Sequence, residues 1–246
     1  MNILVTGGSG DIGEEVCREL DRAGHQVAIH FHHSKKRASQ IASDIHGIAV
    51  QADISKKAQV DGMVKGLVKK WGSLECLINI AGFPIVKETQ SYWEAPFEKI
   101  TAEMFRDVFD VDTLGTIHCI QAVLPFMKKK KYGKIINFVS TPAVSGHTKG
   151  YPFTAAKGAI LSLTKSVALE VASHHITMNA IAPCTIATRW FDLYPAKLKK
   201  KIVSEIPMGR LGSPKDIAPL VSYLVSPGSD WITGKVFVVD GGEVRL

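Results

Sequence analysis

Short apolar runs alternate with helical patterns along almost the whole chain, and this alternation restricts the fold more than any other feature. Strands that are apolar at nearly every position are buried on both faces, as in a parallel sheet covered by helices. The sequence therefore predicts one α/β domain over residues 1–246, with a doubly wound parallel sheet of about seven strands and helices on both faces. Ligands of such sheets bind at the carboxyl ends of the strands. The predicted strands are residues 2–6, 26–31, 47–52, 74–80, 134–139, 176–182 and 235–239.

Composition excludes several classes of protein. The 246 residues are 46% hydrophobic and 22% charged, which is typical of a soluble globular domain. No apolar run approaches the ~18 residues of a membrane span, and a strand follows Met1 directly, so we expect a cytoplasmic protein. Four scattered cysteines without a CxxC pair indicate neither disulfides nor a metal site. The net charge of +7 suits anionic small ligands or carrier proteins, and no nucleic-acid-binding motif is present.

A glycine-rich stretch, TGGSGDIG at residues 6–13, separates the first strand from the first helical pattern. Such a turn lets the backbone approach a pyrophosphate, and the helix N-terminus adds N–H donors and a positive dipole end. A turn that serves only the fold is the alternative. The strand on one side and the helix on the other favour a dinucleotide site. Its candidate contacts are Gly7, Ser9, Asp11 and Ile12.

The residues after the second strand bear on the choice of nicotinamide cofactor. An acidic residue there would bind the ribose 2′-OH of NAD and repel the 2′-phosphate of NADP. Residues 32–37 read HHSKKR and contain no acid, so the sequence favours NADP(H) over NAD(H). The competing interpretation is a solvated helix start that binds no phosphate. The candidates for a 2′-phosphate site are His32, His33, Ser34 and Lys35.

Further motifs follow in a fixed order along nearly the whole chain. They include Asp53-Ile54, NIAG at residues 79–82, Asn179 to Pro183, and Thr188. Together with the glycine-rich turn they resemble the motifs of the short-chain dehydrogenase/reductase family, which has a Rossmann-type fold. The resemblance implies that Thr188 holds the nicotinamide carboxamide, and that the other cofactor contacts in these motifs are Asp53, Ile54, Ala81 and Gly82.

Asp11 departs from the family's pattern, which has glycine at this position. Aspartate is a good helix N-cap, so it can serve the start of the first helix. Its carboxylate can also lie near the cofactor phosphates and repel them. The sequence thus predicts a cofactor site that is kept and weakened.

The resemblance also places a proton-transfer site between residues 140 and 157. In the family a Tyr hydroxyl handles the proton, and a Lys one helical turn later lowers the Tyr pKa from ~10. Ser140 and Lys157 match the family's Ser and Lys, but Phe153 stands at the Tyr position and Asp112 at the Asn position. A positioned general acid is worth ~10²–10⁴ in rate, so the missing hydroxyl is a large loss. We expect Asp112 either to pair with Lys157 or to be satisfied by local hydrogen bonds.

Tyr151 is the candidate for replacing the missing hydroxyl. It precedes Pro152, which disfavours helical backbone, so we expect Tyr151 in an extended loop ahead of a helix over residues 154–173. From there its hydroxyl could reach the nicotinamide. The alternative is an aromatic loop residue that packs near the pocket.

Two functions are compatible with these residues. The first is an NADP(H)-dependent oxidoreductase that reduces a carbonyl, resembling 3-oxoacyl-[acyl-carrier-protein] reductases, with a substrate flap at about residues 184–207. Its substrate would be a small carbonyl or alcohol, either free or linked to a carrier protein or CoA. The second is a catalytically impaired cofactor-binding subunit of the same family. The resemblance further implies a homodimer or homotetramer.

Overall fold

The computed structural model describes residues 1–84 and 86–244. Ile85, in the loop before the fourth helix, and Arg245 and Leu246, at the end of the predicted domain, lie outside the described residues. The seven predicted strands form one sheet, in which every pair of neighbours runs parallel, in the order β3-β2-β1-β4-β5-β6-β7. The strands are β1 (Asn2–Thr6), β2 (Gln26–Phe31), β3 (Ile48–Gln51), β4 (Cys76–Asn79), β5 (Gly133–Phe138), β6 (Ile176–Pro183) and β7 (Val236–Val239).

Helices connect the strands and cover both faces of the sheet, which confirms the predicted single-domain doubly wound fold. Within the described residues, no helix is both long enough and apolar enough to cross a membrane. The helices are α1 (Asp11–Arg22), α2 (Lys35–Asp44), α3 (Lys57–Trp71), α4 (Ser91–Glu94), α5 (Ala102–Phe109), α6 (Gly115–Lys130), α7 (Pro142–Ser145), α8 (Tyr151–Val171), α9 (Ala196–Glu205) and α10 (Pro214–Val225).

Two hydrophobic cores lie on opposite faces of the sheet. Val16 of α1 and Val221 of α10 belong to one core, and Val64 of α3 and Val123 of α6 belong to the other. Successive strand residues such as Ile3 and Leu4 contribute to different cores. This is why the strands are apolar at every position, since alternate side chains point to opposite faces.

The chain reverses its direction of progress across the sheet at β1. β2 and β3 lie to one side of β1, and β4 to β7 lie to the other. A crevice opens at such a switch point, outside the carboxyl ends of the strands. The glycine-rich stretch after β1 and the residues after β4 and β5 therefore face the same crevice.

Two helices differ from the sequence-based expectation. The predicted helix over residues 101–131, with a break near Gly115, consists of α5 and α6 joined by one π-helical turn, Asp110–Leu114. The predicted extended loop at Tyr151 is wrong, because α8 begins at this residue. Pro152 then occupies the first turn of α8, where a missing N–H removes no helical hydrogen bond.

Candidate active site

The glycine-rich stretch forms a tight turn from β1 into α1. Gly7 has a φ of +67°, and a Cβ there would lie 2.8 Å from the backbone nitrogen of Ala81. A Cβ on Gly13 would lie 2.2 Å from the Gly7 carbonyl oxygen. These contacts require glycine and keep the start of α1 close to β1, which is the shape that a pyrophosphate needs. Gly10, next to the buried Ser9, is the N-cap of α1, so the interpretation of Asp11 as the cap is wrong.

Hydrogen bonds tie this turn to the segment after β4. The Thr6 hydroxyl oxygen accepts the backbone N–H groups of Ile80, at 3.2 Å, and of Ala81, at 3.3 Å. The predicted contact Ala81 thus lies beside Gly7, at the switch point. The next residue, Gly82, lies close to Asp112, because a Cβ on Gly82 would be 3.0 Å from Asp112 Oδ1.

His30, near the end of β2, supports the glycine-rich turn from below. Its Nδ1 accepts the N–H of Gly7 at 3.1 Å, and its Nε2 lies 3.0 Å from the Ala52 carbonyl oxygen. This pair of contacts assigns the proton to Nε2 and requires a neutral ring. Burial lowers the pKa of His30 to about 4. We did not predict this role, although a single histidine inside the apolar run of β2 is a signal for it.

A basic cavity lies beside the start of α2, where the sequence predicts a 2′-phosphate site. Ser34 is the N-cap of α2, and its hydroxyl makes no capping hydrogen bond. The His32 carbonyl oxygen accepts a hydrogen bond from Gln51 Nε2 at 2.9 Å, and the His32 ring stacks against that of His33. The cavity has a volume of about 550 Å³ and is lined by His33, Ser34, Lys35, Lys36, Arg37 and Gln40.

Asp53 and Ile54 follow β3 at the same edge of the sheet. Asp53 Oδ1 accepts hydrogen bonds from the backbone N–H of Ser55, at 2.9 Å, and from its hydroxyl, at 2.7 Å. The buried Ile54 packs where a Cβ on Gly115 would lie, at 2.7 Å. The chain therefore fixes both residues near the crevice, and Asp53 Oδ2 has no hydrogen-bond partner among residues 1–84 and 86–244.

Asp112 lies beside Lys157, the predicted catalytic lysine. Asp112 lies in the π-helical turn and is fully buried, and its Oδ2 is 3.1 Å from Lys157 Nζ. Its Oδ1 accepts the backbone N–H of Phe83. Oδ2 makes no hydrogen bond in the part of the chain that the structure describes, so the contact with Lys157 is an ion pair. The predicted pair of Asp112 with Lys157 is therefore present.

Phe153 lies at the position where the resemblance implies the family's tyrosine. Lys157 Nζ lies 5.6 Å from the centroid of its ring. Ser140 follows β5, and its hydroxyl donates to the Pro183 carbonyl oxygen at 3.3 Å. The backbone thus presents a serine, an aromatic ring and a buried lysine as the resemblance implies, without the phenolic oxygen.

Tyr151 points elsewhere. Its hydroxyl donates to the Thr148 carbonyl oxygen at 2.9 Å, and its ring meets Phe97 edge-on at 5.1 Å. Since Tyr151 and Lys157 belong to one helix and are six positions apart, their side chains leave it about 120° apart. The role of Tyr151 as proton donor stays a prediction.

Aromatic side chains close the space above Phe153. Trp93, from α4, meets Phe153 edge-on at 5.6 Å and Trp190, from the predicted flap, at 5.2 Å. Together with Tyr194, whose ring lies 5.6 Å from that of Trp190, these side chains form an aromatic wall. Burial raises the pKa of Tyr194 above its ordinary value. The wall joins the loop before α5 to the flap, as expected for the two sides of an apolar pocket.

Thr188 and Arg189 lie in the predicted flap, and Arg189 contacts Asp11 at the start of α1. The Arg189 backbone N–H donates to Asp11 Oδ2 at 2.8 Å. Arg37, on α2, pairs with Asp11 Oδ1 at 2.8 Å. Neither arginine was predicted from the sequence, although an aspartate in a phosphate-binding turn implies that positive charge lies nearby.

Comparisons with known proteins agree with this arrangement. A family model described as enoyl-(acyl carrier protein) reductase matches residues 8–243. The 3-oxoacyl-[acyl-carrier-protein] reductase FabG of Staphylococcus aureus is 33% identical over 248 residues, which cover 97% of this chain and 96% of that protein. The 3-oxoacyl-[acyl-carrier-protein] reductase of Synechocystis is also 33% identical, over 249 residues, covering 99% and 96%. The solved structure of ElxO with NADP bound has a TM-score of 0.89 at 29% identity and covers 98% of both chains.

The fold, the motifs and these similarities define the class of protein. The chain belongs to the short-chain dehydrogenase/reductase family. It is similar to 3-oxoacyl-[acyl-carrier-protein] reductases and to a solved structure with NADP bound.

Proposed function

We propose that the chain is an NADP(H)-dependent oxidoreductase that reduces a carbonyl group, either of the 3-oxoacyl type or of another ketone. The observation that carries the proposal is the buried ion pair of Lys157 with Asp112 at the position where the resemblance implies the family's lysine. The glycine-rich turn and the basic cavity at α2 support it. A bound nicotinamide cofactor would supply the hydride.

The residues of the crevice fit such a cofactor. The turn at Gly7 and Gly13 has no room for Cβ atoms and leaves the N–H groups at the start of α1 for a pyrophosphate. The cations at the start of α2 suit a 2′-phosphate, because Lys35 and Lys36 form no ion pair with any described residue. Thr188 is placed after β6, where the family's carboxamide-binding threonine is expected.

The substrate would lie between Ser140 and the aromatic wall. The Ser140 hydroxyl can orient a carbonyl oxygen once it leaves its weak bond to Pro183. The ammonium group of Lys157, held by Asp112, adds positive charge where negative charge develops on that oxygen. The similar 3-oxoacyl-[acyl-carrier-protein] reductases support a substrate linked to a carrier protein or CoA.

A second function is favoured by one observation. Phe153 provides no proton, and the Tyr151 hydroxyl is turned toward Thr148. A subunit that binds the cofactor with little turnover is consistent with this geometry. We propose a homodimer or homotetramer in either case, and the exposed Leu114 and Leu169 near the long helices support it. Light scattering of the purified protein measures the assembly.

The two functions are separated by titrating NADPH and assaying a panel of ketones with the wild type, Phe153→Tyr and Tyr151→Phe. We expect NADPH binding in all three proteins, and a gain of about 10²–10⁴ in turnover for Phe153→Tyr. Loss of turnover in Tyr151→Phe supports Tyr151 as the donor. Tyr223→Phe is the matched control, because the Tyr223 hydroxyl also donates to a backbone carbonyl, that of Gly228 at 3.3 Å. Absence of NADPH binding in the wild type would overturn both functions.

A further inference from the structure

Asp11 holds two arginines that come from different elements. It is the first residue of α1, in the turn where the family has glycine. Its Oδ2 accepts the backbone N–H of Arg189 at 2.8 Å, and its Oδ1 accepts the Arg189 Nε–H at 3.1 Å. Its Oδ1 also lies 2.8 Å from Arg37 Nη1. One carboxylate therefore joins the phosphate-binding turn, α2 and the start of the flap.

Arg37 is occupied by carboxylates in this arrangement. Besides Asp11, its Nη2 and Nε bind Glu14 Oε2, at 2.8 Å and 3.1 Å. Burial alone would raise the pKa of Asp11, but the hydrogen bonds and charges of Arg189 and Arg37 hold it below its ordinary value. Asp11 is thus ionised and neutralised, and each of the three nitrogens of the Arg37 guanidinium group already contacts a carboxylate.

Arg189 differs from Arg37 because most of its side-chain donors are unused. Asp11 fixes its backbone N–H and its Nε–H, whereas neither Nη1 nor Nη2 has a hydrogen-bond partner within residues 1–84 and 86–244. The side chain is 68% exposed. Its guanidinium group is therefore oriented at the N-terminus of α1 with two charged donors open to a ligand.

We propose that Arg189 binds the diphosphate of the cofactor and that Asp11 is the positioning residue that holds Arg189 in place. The proposal rests on the proposed NADP(H) dependence. Guanidinium donors match phosphate oxygens in geometry and charge, and the N-terminus of α1 is where a diphosphate lies in this fold. The bonds to Asp11 place Arg189, which directly follows Thr188, at this end of α1.

The proposal reverses the simplest expectation for Asp11. A carboxylate in a phosphate-binding turn should weaken binding by repulsion, so replacing it with the family's glycine should tighten binding. If Asp11 positions Arg189, the same replacement releases the arginine and weakens binding. The sign of the change therefore distinguishes the two effects.

The test measures Kd by NADPH fluorescence and by calorimetry for the wild type, Arg189→Ala, Arg189→Lys, Asp11→Gly and the double variant Asp11→Gly/Arg189→Ala. We expect Arg189→Ala to weaken NADPH binding about tenfold or more, the size of a lost charge-assisted hydrogen bond. Asp11→Gly should weaken it in the same direction, and the double variant no further than Arg189→Ala. Adenosine 2′-monophosphate, which has no diphosphate, should bind all the variants like the wild type.

Arg22→Ala is the matched control. Arg22 lies at the far end of α1, is 60% exposed and pairs with Glu15 and Glu19, so its removal deletes one paired charge away from the crevice. It should leave both affinities unchanged. Thermal unfolding checks that each variant folds, and Arg189→Lys, which keeps the charge without the fork of donors, should bind NADPH more weakly than the wild type even if Asp11→Gly does not fold.

Several outcomes would overturn the proposal. They are unchanged NADPH affinity in Arg189→Ala, an equal loss of adenosine 2′-monophosphate binding, or tighter NADPH binding in Asp11→Gly. Failure of the wild type to bind NADPH would instead refute the proposed function, so the two failures are distinct.

Discussion

Phe153, at the position where the resemblance implies a tyrosine, provides an aromatic ring that packs within the candidate site. The ring meets Trp93 edge-on and lies 5.6 Å from the ammonium nitrogen of Lys157. A cation near an aromatic face is stabilised by about 0.5–2 kcal/mol, so Lys157 has a second partner besides Asp112. The loss of the hydroxyl therefore removes chemistry and leaves the architecture in place, and a single added oxygen is a meaningful test.

His30 makes the glycine-rich turn sensitive to acid. Its pKa is about 4 in the folded protein and 6.5 ordinarily, so between these pH values the unfolded chain takes up a proton that the folded protein does not. The stabilising contribution is full above pH 6.5 and falls by about 3 kcal/mol as the pH decreases to 4. Urea unfolding measured at pH 7, 5.5 and 4.5 checks this expectation.

His30→Gln is the control for that measurement. Glutamine can accept the Gly7 N–H and donate to the Ala52 carbonyl without titrating. The variant should lose less stability than the wild type over the same pH interval. An identical pH dependence in both proteins would show that other groups cause the acid sensitivity.

Single residues were predicted with uneven success, for physical reasons. The pair of Asp112 with Lys157 was foreseen because two complementary charges occupy positions that the family brings together. The predicted extended loop at Tyr151 was wrong because proline is well tolerated in the first turn of a helix. This tolerance outweighed the tendency of a residue before proline to avoid helical backbone. His30 was missed because a strand pattern shows burial and does not show which backbone group a side chain will meet.

The π-helical turn Asp110–Leu114 is the element that aims Asp112 at Lys157. Such turns add a residue to a helix and occur often at functional sites. Removing one partner of a buried ion pair leaves the other charge without compensation, so Asp112→Ala should lower the free energy of unfolding by about 3–5 kcal/mol. Chemical denaturation measures the loss.

A double variant distinguishes the charge from the shape of that site. Asp112→Leu combined with Lys157→Met removes both charges and should recover much of the stability lost in Asp112→Ala. If the double variant is as unstable as Asp112→Ala, the loss comes from packing at the π-helical turn rather than from an uncompensated ammonium group.

Gly150, the N-cap of α8, lies directly against Trp93 of the aromatic wall. Its φ is +64°, and a Cβ there would lie 2.2 Å from Cε3 of Trp93. Gly150→Ala should therefore destabilise the fold by about 2–4 kcal/mol and shift the fluorescence of Trp93. Gly158→Ala, within α8 and with nothing within 4 Å of the added Cβ, should be neutral or stabilising. Equal effects of the two substitutions would contradict the close contact with Trp93.

At the scale of the whole molecule, the sheet was predictable because its pattern is repeated. Seven apolar runs separated by helical patterns leave few arrangements other than a doubly wound parallel sheet, and the order of the family's motifs along the chain agrees with that arrangement. The contacts between distant segments were not predictable in the same way. Asp11 meets Arg189 across 178 positions of sequence, and only the folded crevice brings them together.

Membership of the family does not by itself establish enzymatic activity. The chain shares its fold and its motifs with reductases, yet a fold supports a cofactor site whether or not a proton donor is present. Hydride transfer is therefore the step on which the proposed function depends. Transfer of a deuterium label from the cofactor to the substrate detects this step even when turnover is slow.

The most direct measurement uses NADPH carrying deuterium at C4 of the nicotinamide and acetoacetyl-CoA as the 3-oxoacyl probe, with the wild-type protein in long incubations. The proposed function predicts that one deuterium appears on C3 of the product, the carbon that was the ketone carbonyl, slowly in the wild type and faster in Phe153→Tyr. NADPH that binds to the wild type while neither this probe nor the ketone panel gains deuterium would contradict it, and would leave the cofactor-binding subunit as the function.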